Sequence, residues 1–465
     1  MPATMQDLTS WLRALLGVDP ITQNRTLQEY LDGIPRLDSL NDVPSGTPVL
    51  IRGDVDVKPG PKVGDGDIRL RSMVKTLEFG KSRGWKQIIF GHVGRKPDGS
   101  LKKVAARLAE IIGSPVTLIE DWYDEKSGTV LDAASKQIAD SPAGSIIMLE
   151  NTRMYGIERV LWDAKPDNAA KLAEPLAKFA KQMADRVAKV YVNEALSAGS
   201  LDSSSTIVPA GMDRVALGQY VAHEFDGPMR ACLQTKLVVF SGLKIDKLDD
   251  LEAMIKRGSI RWVFTAGSLA MALKKADAEL AGGTFCLGVA EAAGHEDKPY
   301  FIERARIDQA KKMLVDGRRK GISFVMPVDF ILQDGKASDT IGPADQQFDV
   351  GPKTIELFSF SIDKFLEEQK RAGHSAAVVF HNGVFGMFED PRFESGTKEF
   401  MKQLKRMKDA GCEVYIGGGE GGAALEKYGQ PEWVTHVFTA GGTVLNALGA
   451  APVPYLVALY MAANR

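Results

Sequence analysis

Two glycine clusters late in the chain, Gly417-Gly418-Gly419-Glu420-Gly421-Gly422 and Thr439-Ala440-Gly441-Gly442-Thr443, carry the plainest chemical signal. Each follows a short apolar run, Val414–Ile416 or His436–Phe438, and precedes a helix-type pattern. Glycine lets a backbone approach a bulky anion closely, and free N–H groups at a helix start favour negative charge. Two such cradles in succession predict a surface for several phosphates. Further upstream, Ser241-Gly242-Leu243-Lys244-Ile245-Asp246-Lys247 sets a glycine turn beside two lysines, a pattern suited to phosphate chains and a phosphoryl group in flight. Glu420 has two readings: a carboxylate holding Mg²⁺ on phosphates, or an acid favoured by a helix N-terminus.

The front half offers cations instead. Arg52-Gly53-Asp54-Val55-Asp56, Gly91-His92-Val93-Gly94-Arg95-Lys96 and Glu150-Asn151-Thr152-Arg153 each follow a strand-type run, and Asp67-Ile68-Arg69-Leu70-Arg71 opens the helix pattern after the first of them. Arg69, His92, Arg95 and Arg153 at one mouth would bind a small, multiply charged anion, because a guanidinium fork matches phosphate and carboxylate oxygens.

The elements that must position these residues alternate. Strand-type runs recur at Val49–Arg52, Gln87–Phe90, Val116–Ile119, Ser145–Leu149 and Val190–Asn193. They return at Lys236–Phe240, Trp262–Thr265, Phe324–Met326, Ala377–Phe380, Glu413–Ile416 and Val434–Phe438. Helical spacing lies between them, as at Leu101–Ala109, and a helix-like stretch at Ala216–Cys232 joins the two series. The pattern predicts an α/β protein of two doubly wound, mainly parallel lobes joined by a helix hinge, with a cleft between the lobes. The expected divisions are an extension at 1–45, a first lobe at 46–215, an interdomain helix at 216–232, a second lobe at 233–450 and a tail at 451–465. The extension predicts short helices near Thr9–Leu16 and Leu27–Leu31 that pack on the body or mediate oligomer contacts.

At 465 residues the chain exceeds what one core usually supports. Its 44% apolar and 25% charged residues are ordinary, and a net charge of −2 gives no broad reason to expect nucleic acid or an anionic membrane as partner. Cys232, Cys286 and Cys412 lack disulfide or zinc spacing. No apolar run is long enough to span a bilayer, and no signal-peptide core is evident. A cytoplasmic protein is expected. Gly417, Gly419 and Gly422 spell G-x-G-x-x-G, but late in the second series and with no acidic strand end following, which argues against a dinucleotide fold. No Walker sequence occurs.

Read in order, these segments resemble phosphoglycerate kinase. The family's R-x-D-F-N-V motif is matched by Arg52–Val57, S-H-L-G-R-P by Gly91–Pro97, L-E-N-x-R-F by Leu149–Tyr155 and Y-V-N-D-A-F by Tyr191–Ala195. Met326–Asp329, Asp349–Thr354, Asn382–Glu389 and both glycine clusters also match, so the resemblance spans residue 46 to the C-terminus. It implies phosphoryl transfer from 1,3-bisphosphoglycerate to ADP, with Mg²⁺ on the nucleotide, in a monomer acting on small molecules. It also implies that Asp54, Asp56, Arg69, His92, Arg95 and Arg153 hold the glycerate, with Arg69 steadying the transferring charge. Lys244 and Lys247 would meet the phosphates; Gly242, Gly267, Asn382 and Glu389 would line the nucleotide site. Gly418, Gly419, Gly441 and Gly442 would donate N–H groups, and Glu420 would hold the metal. Arg69, Lys244, Lys247, Gly418 and Gly441 form the implied catalytic set, and a C-terminal tail returning to the first lobe is implied as well.

The departures fall in functional places. The family's G-T-A-H-R-A-H becomes Ser197-Ala198-Gly199-Ser200-Leu201-Asp202-Ser203, so Leu201 stands where an arginine binds substrate. Asp56 replaces an asparagine, and the two changes leave the pocket about two charge units less positive. Glu420 lengthens the metal ligand by a methylene, Lys244 and Lys247 lie one residue closer than usual, and Val384 replaces a proline. Two readings follow: a divergent phosphoglycerate kinase with another cation, such as Arg71, in place of the lost one; or a paralogue acting on a less anionic carboxylate, or binding nucleotide without catalysis.

Overall fold

In the computed structural model the described residues are 5–19, 25–64, 66–243, 245–373, 376–449 and 452–465. They fall into two compact units, Met1–Asp226 with Ala451–Arg465, and Gly227–Ala450.

The first unit contains β1 (Pro48–Gly53), β2 (Lys86–Phe90), β3 (Val116–Ile119), a small ribbon of β4 (Tyr123–Asp124) and β5 (Thr129–Val130), β6 (Ile146–Leu149), β7 (Val190–Glu194) and β8 (Arg214–Leu217). Six of these form one parallel sheet in the order β3-β6-β2-β1-β7-β8. The near-continuous apolar character of these strands is explained by burial on both faces: Val49, Leu50 and Ile51 are all fully buried. Strand order matters for function. From β1 the chain moves to one side of the sheet, and from β7 to the other, so the segments leaving these neighbours diverge and open a crevice at their carboxyl ends.

The second unit repeats the plan with β9 (Thr235–Phe240), β10 (Trp262–Thr265), β11 (Ser323–Val325), β12 (Phe330–Leu332), β13 (Ala337–Ser338), β14 (Gln347–Val350), β15 (Val378–Asn382), β16 (Glu413–Gly417) and β17 (His436–Phe438). The main sheet is parallel, in the order β11-β10-β9-β15-β16-β17, with its switch between β9 and β15. Strands β13-β12-β14 make a separate antiparallel sheet. Its strands are two to four residues long, too short for a period-two pattern to register.

The stretch Ala216–Cys232 is not one helix. Ala216 and Leu217 end β8, where they pair with Val192 and Asn193 and are buried. A helix then runs Gln219–Glu224, a π-turn Phe225–Met229, and a short helix Arg230–Cys232. Pro228 has no N–H to continue an α-helical ladder, and the chain passes between units inside this turn. The described part of 1–45 packs on the body. The helix Met5–Leu15 buries Leu8, Trp11 and Leu12 in the first unit, and the Trp11 indole donates to the Thr206 carbonyl at 2.8 Å. The C-terminal helix Pro454–Ala463 packs beside it; Tyr460 meets Tyr30 edge-on at 5.5 Å, and Asn464 donates to the Gly33 carbonyl at 3.0 Å.

Candidate functional site

In the first unit the segments after β1 and β7 meet across the switch point. Ser197 Oγ donates to Asp54 Oδ1 at 2.7 Å, and Arg69 Nε lies 3.7 Å from the same oxygen. Arg69 Nη1 also donates to the Asp56 carbonyl at 2.9 Å and to Asp56 Oδ2 at 3.3 Å. Burial pushes the Asp54 carboxyl up against the pull of Arg69, and its Oδ2 is buried without a hydrogen-bond partner. Asp56 Oδ1 receives the Gly94 N–H at 2.8 Å, and the Gly94 carbonyl receives Arg153 Nη1 at 2.8 Å. One glycine thus links the Arg69 group to the next cluster.

That cluster is buried. Arg52 extends from β1, donating through Nε to Ser204 Oγ at 3.1 Å and meeting His92 Nδ1 through Nη2 at 2.9 Å. Burial, then Arg52 and Arg153, hold the His92 imidazole far below its usual range; it is neutral, with Nδ1 accepting from Arg52. Arg153 stacks over Trp162 at 4.8 Å and gives Nη2 to Asp202 at 3.0 and 3.4 Å. Glu158 accepts from Thr152 Oγ1, Ser204 Oγ and the Ser204 N–H, and burial together with Asp202 pushes its carboxyl up to about 7. Ligand atoms of His92, Glu158 and Asp202 lie within 4.8 Å of one another, yet Arg52 and Arg153 already supply the positive charge there, so the cluster is no cation site. Removing one member of such a buried charge set would cost about 3–5 kcal/mol.

The L-E-N segment is scaffold for these groups. Glu150 accepts from Ser100 Oγ and the Leu101 and Asn151 N–H groups, while Asn151 Nδ2 donates to the Gly99 carbonyl at 2.7 Å. These bonds anchor the loop that carries His92 and Arg95. Arg95 itself is exposed. Arg71, the candidate replacement cation, is directed to Asp67 at 3.9 Å, which also takes Arg107 at 3.0 Å. The sequence alone gives no role to Arg52, Glu158, Trp162 or Asp202; the signal for Asp202 is its place next to Leu201, where the motif breaks.

In the second unit the segments after β9, β15, β16 and β17 converge. Gly242, at φ +105°, lies where an added Cβ would be 3.4 Å from Lys247 Nζ and 3.8 Å from Glu420 Oε2. Lysine and carboxylate therefore share one bare backbone position. Lys247 Nζ donates to the Ser241 carbonyl at 2.6 Å, and across the switch point a Cβ on Gly383 would come within 2.9 Å of it. On Gly267, at φ +62°, a Cβ would meet the Gly242 carbonyl at 2.5 Å. The two cradles touch: a Cβ on Gly441 would be 2.6 Å from Gly418 Cα, and Asn382 Nδ2, which donates to the Gly417 carbonyl at 2.8 Å, lies beside both. Helices Gly419–Tyr428 and Gly441–Leu448 start there, with Gly419 and Gly442 open to solvent space. Glu389 is exposed in the loop after β15, and Lys244 lies outside the described residues.

The sequence pattern described as phosphoglycerate kinase matches residues 40–450. The chain belongs to the phosphoglycerate kinase family. Among curated members, the cytosolic phosphoglycerate kinase 3 of Arabidopsis thaliana is 27% identical over 429 residues, covering 89% of this chain and 95% of that protein. Phosphoglycerate kinase of Thermosipho africanus is 28% identical over 429 residues, with the same coverage, 89% and 95%. The solved phosphoglycerate kinase of Pyrococcus horikoshii has the same fold, at a TM-score of 0.69 and 24% identity over 92% of this chain and 99% of that one. No helix among the described residues is long and apolar enough to cross a membrane.

Proposed function

We propose that this family member catalyses reversible phosphoryl transfer from 1,3-bisphosphoglycerate to ADP, giving 3-phosphoglycerate and ATP. The observation that carries the reading is the meeting of Lys247 and Glu420 over Gly242 at the second unit's switch point. There, nucleotide phosphates would find a lysine, the N–H groups of Gly418, Gly419, Gly441 and Gly442, and a carboxylate oxygen. Gly242, Lys244, Gly267, Asn382 and Glu389 complete this nucleotide set. Glu420 fits Mg²⁺ as a hard oxygen donor beside the phosphate position; the ion, when bound, would neutralise phosphate charge.

In the first unit, Asp54, Asp56, Arg69, His92, Arg95 and Arg153 would orient the glycerate, and Arg69 would stabilise charge on the moving group. The β-phosphate oxygen of ADP forms the new P–O bond as the acyl phosphate P–O bond breaks. The protein supplies alignment and charge, and no side chain serves as nucleophile. Closure about the Phe225–Met229 turn belongs to this proposal, since an acyl phosphate must be kept from water. A second reading, a paralogue for a less anionic carboxylate, is favoured by one observation: Arg153 is held by Asp202. A coupled assay of ATP formation from 1,3-bisphosphoglycerate separates them. Turnover that Arg69→Ala abolishes supports the first; nucleotide binding without turnover above that variant overturns it.

A further inference from the structure

We infer that Asp202 is a built-in anion: its carboxylate fills the arginine pocket of the first unit and sets that pocket against acceptors bringing a second anionic group to it. The inference rests on the kinase reading only for the identity of the acceptor.

The surroundings of Asp202 are those of a bound anion. Its carboxylate takes the Arg153 guanidinium at 3.0 and 3.4 Å, the Trp162 indole N–H at 2.9 Å and the Ser200 hydroxyl at 2.9 Å, with Arg52 Nη2 at 4.0 Å. A fork, an indole N–H and a hydroxyl are the donors an incoming phosphate or carboxylate would use. Asp202 is fully buried, so this is no solvated surface pair. With Arg153 Nη1 on the Gly94 carbonyl, both terminal nitrogens of the fork are engaged, and only its buried Nε has no partner. The Arg69 group, by contrast, is built from a separate pair of acids and is a quarter exposed. The pocket therefore distinguishes two ends of an acceptor: a carboxylate end near Arg69, and a distal end where one of the two buried guanidinium charges is already cancelled. An acceptor with a distal phosphate has to compete with Asp202 for Arg153; one with a neutral distal end does not.

The test is Asp202→Asn in the full chain, which keeps shape and removes charge. KM for 3-phosphoglycerate and for MgATP would be measured, with inorganic phosphate titrated against the Trp162 indole resonance as a local reporter. The expected result is a fall of about tenfold or more in KM for 3-phosphoglycerate and in the phosphate concentration that half-shifts the indole signal, with KM for MgATP moving less than about twofold. A merely structural Asp202 would give unchanged or raised KM for 3-phosphoglycerate, and that outcome overturns the inference. Should the variant not fold, the wild type decides. Half-saturation of the indole shift by phosphate below about 1 mM overturns the inference, and no saturation at that concentration supports it. Absent turnover in both proteins, with tighter phosphate binding in the variant, would sink the kinase reading and leave the inference standing. Turnover with unchanged constants sinks the inference alone.

Discussion

Gly441→Ala is the sharpest single perturbation of the nucleotide cradle. The added methyl would sit 2.6 Å from Gly418 Cα and 3.1 Å from Gly418 N, against an ordinary contact of 3.4–4 Å. Both neighbours are backbone, so the strand-to-helix turn at Gly418 has to move by roughly 1 Å. Gly418 is at φ +95° and opens the helix Gly419–Tyr428, so its displacement turns that helix's N–H groups off the phosphates. Overpacking of this size costs about 1–3 kcal/mol, and a 1 Å misplacement costs on the order of a hundredfold in turnover. The comparison is Gly422→Ala on the same helix, whose Cβ would meet only Val437 Cγ1, at 3.4 Å. That change should stabilise the fold by up to about 1 kcal/mol and leave activity alone. MgADP titration calorimetry, turnover and urea unfolding on both variants decide it. Equal turnover in Gly441→Ala and wild type, or equal losses in the two variants, would refute the contact between cradles.

Glu420→Ala should weaken Mg-nucleotide binding about tenfold or more and metal-free nucleotide far less; equal calorimetric losses would show that the carboxylate does not serve the metal. Arg69→Ala should lower turnover by about 10²–10³-fold, and a loss under tenfold would move charge stabilisation elsewhere. Glu194, buried against Thr76 Oγ1 and the Tyr220 and Val221 N–H groups, has its carboxyl pushed by burial from 4.5 up to about 7. A raised carboxyl means the folded state holds the proton more tightly, so this contribution is favourable at low pH and is lost as pH rises towards 7. Glu194→Gln should remove about 3 kcal/mol of that fall, read as a flatter plot of unfolding free energy between pH 5 and 7. A parallel slope in the variant would show that Glu194 does not titrate there; Glu158, Asp250 and Asp349 shift the same way and contribute to the slope that remains.

Most of the site could be read because strand ends announce themselves. Gly242, Gly267, Gly418 and Gly441 are glycine because a side chain would strike backbone or demand a positive φ, and Asp54 lies just past the apolar run Val49–Ile51. Strand order could not be read: nothing in Val49–Arg52 says that β7, over 130 residues later, is its neighbour, yet that adjacency puts Ser197 on Asp54. Ala216 and Leu217, the end of the strand Arg214–Leu217, read as the start of a helix because four residues carry no period, and only pairing with β7 fixes them as extended. Asp202 was invisible as a buried anion because its burial depends on Arg52, Arg153 and Trp162, which are 40 or more residues away. Local pattern reports which residues lie beyond a strand; tertiary charge pairing decides which of them are already spoken for.

Hydroxylamine trapping tests the central claim most directly, because an acyl phosphate is converted to a stable hydroxamate that identifies the carboxylate phosphorylated. With MgATP and 3-phosphoglycerate, the chain should yield the 3-phosphoglycerate hydroxamate, and Arg69→Ala should not. Hydroxamate formed only from carboxylates lacking a phosphate, or none at all while MgATP still binds, would contradict the phosphoglycerate assignment.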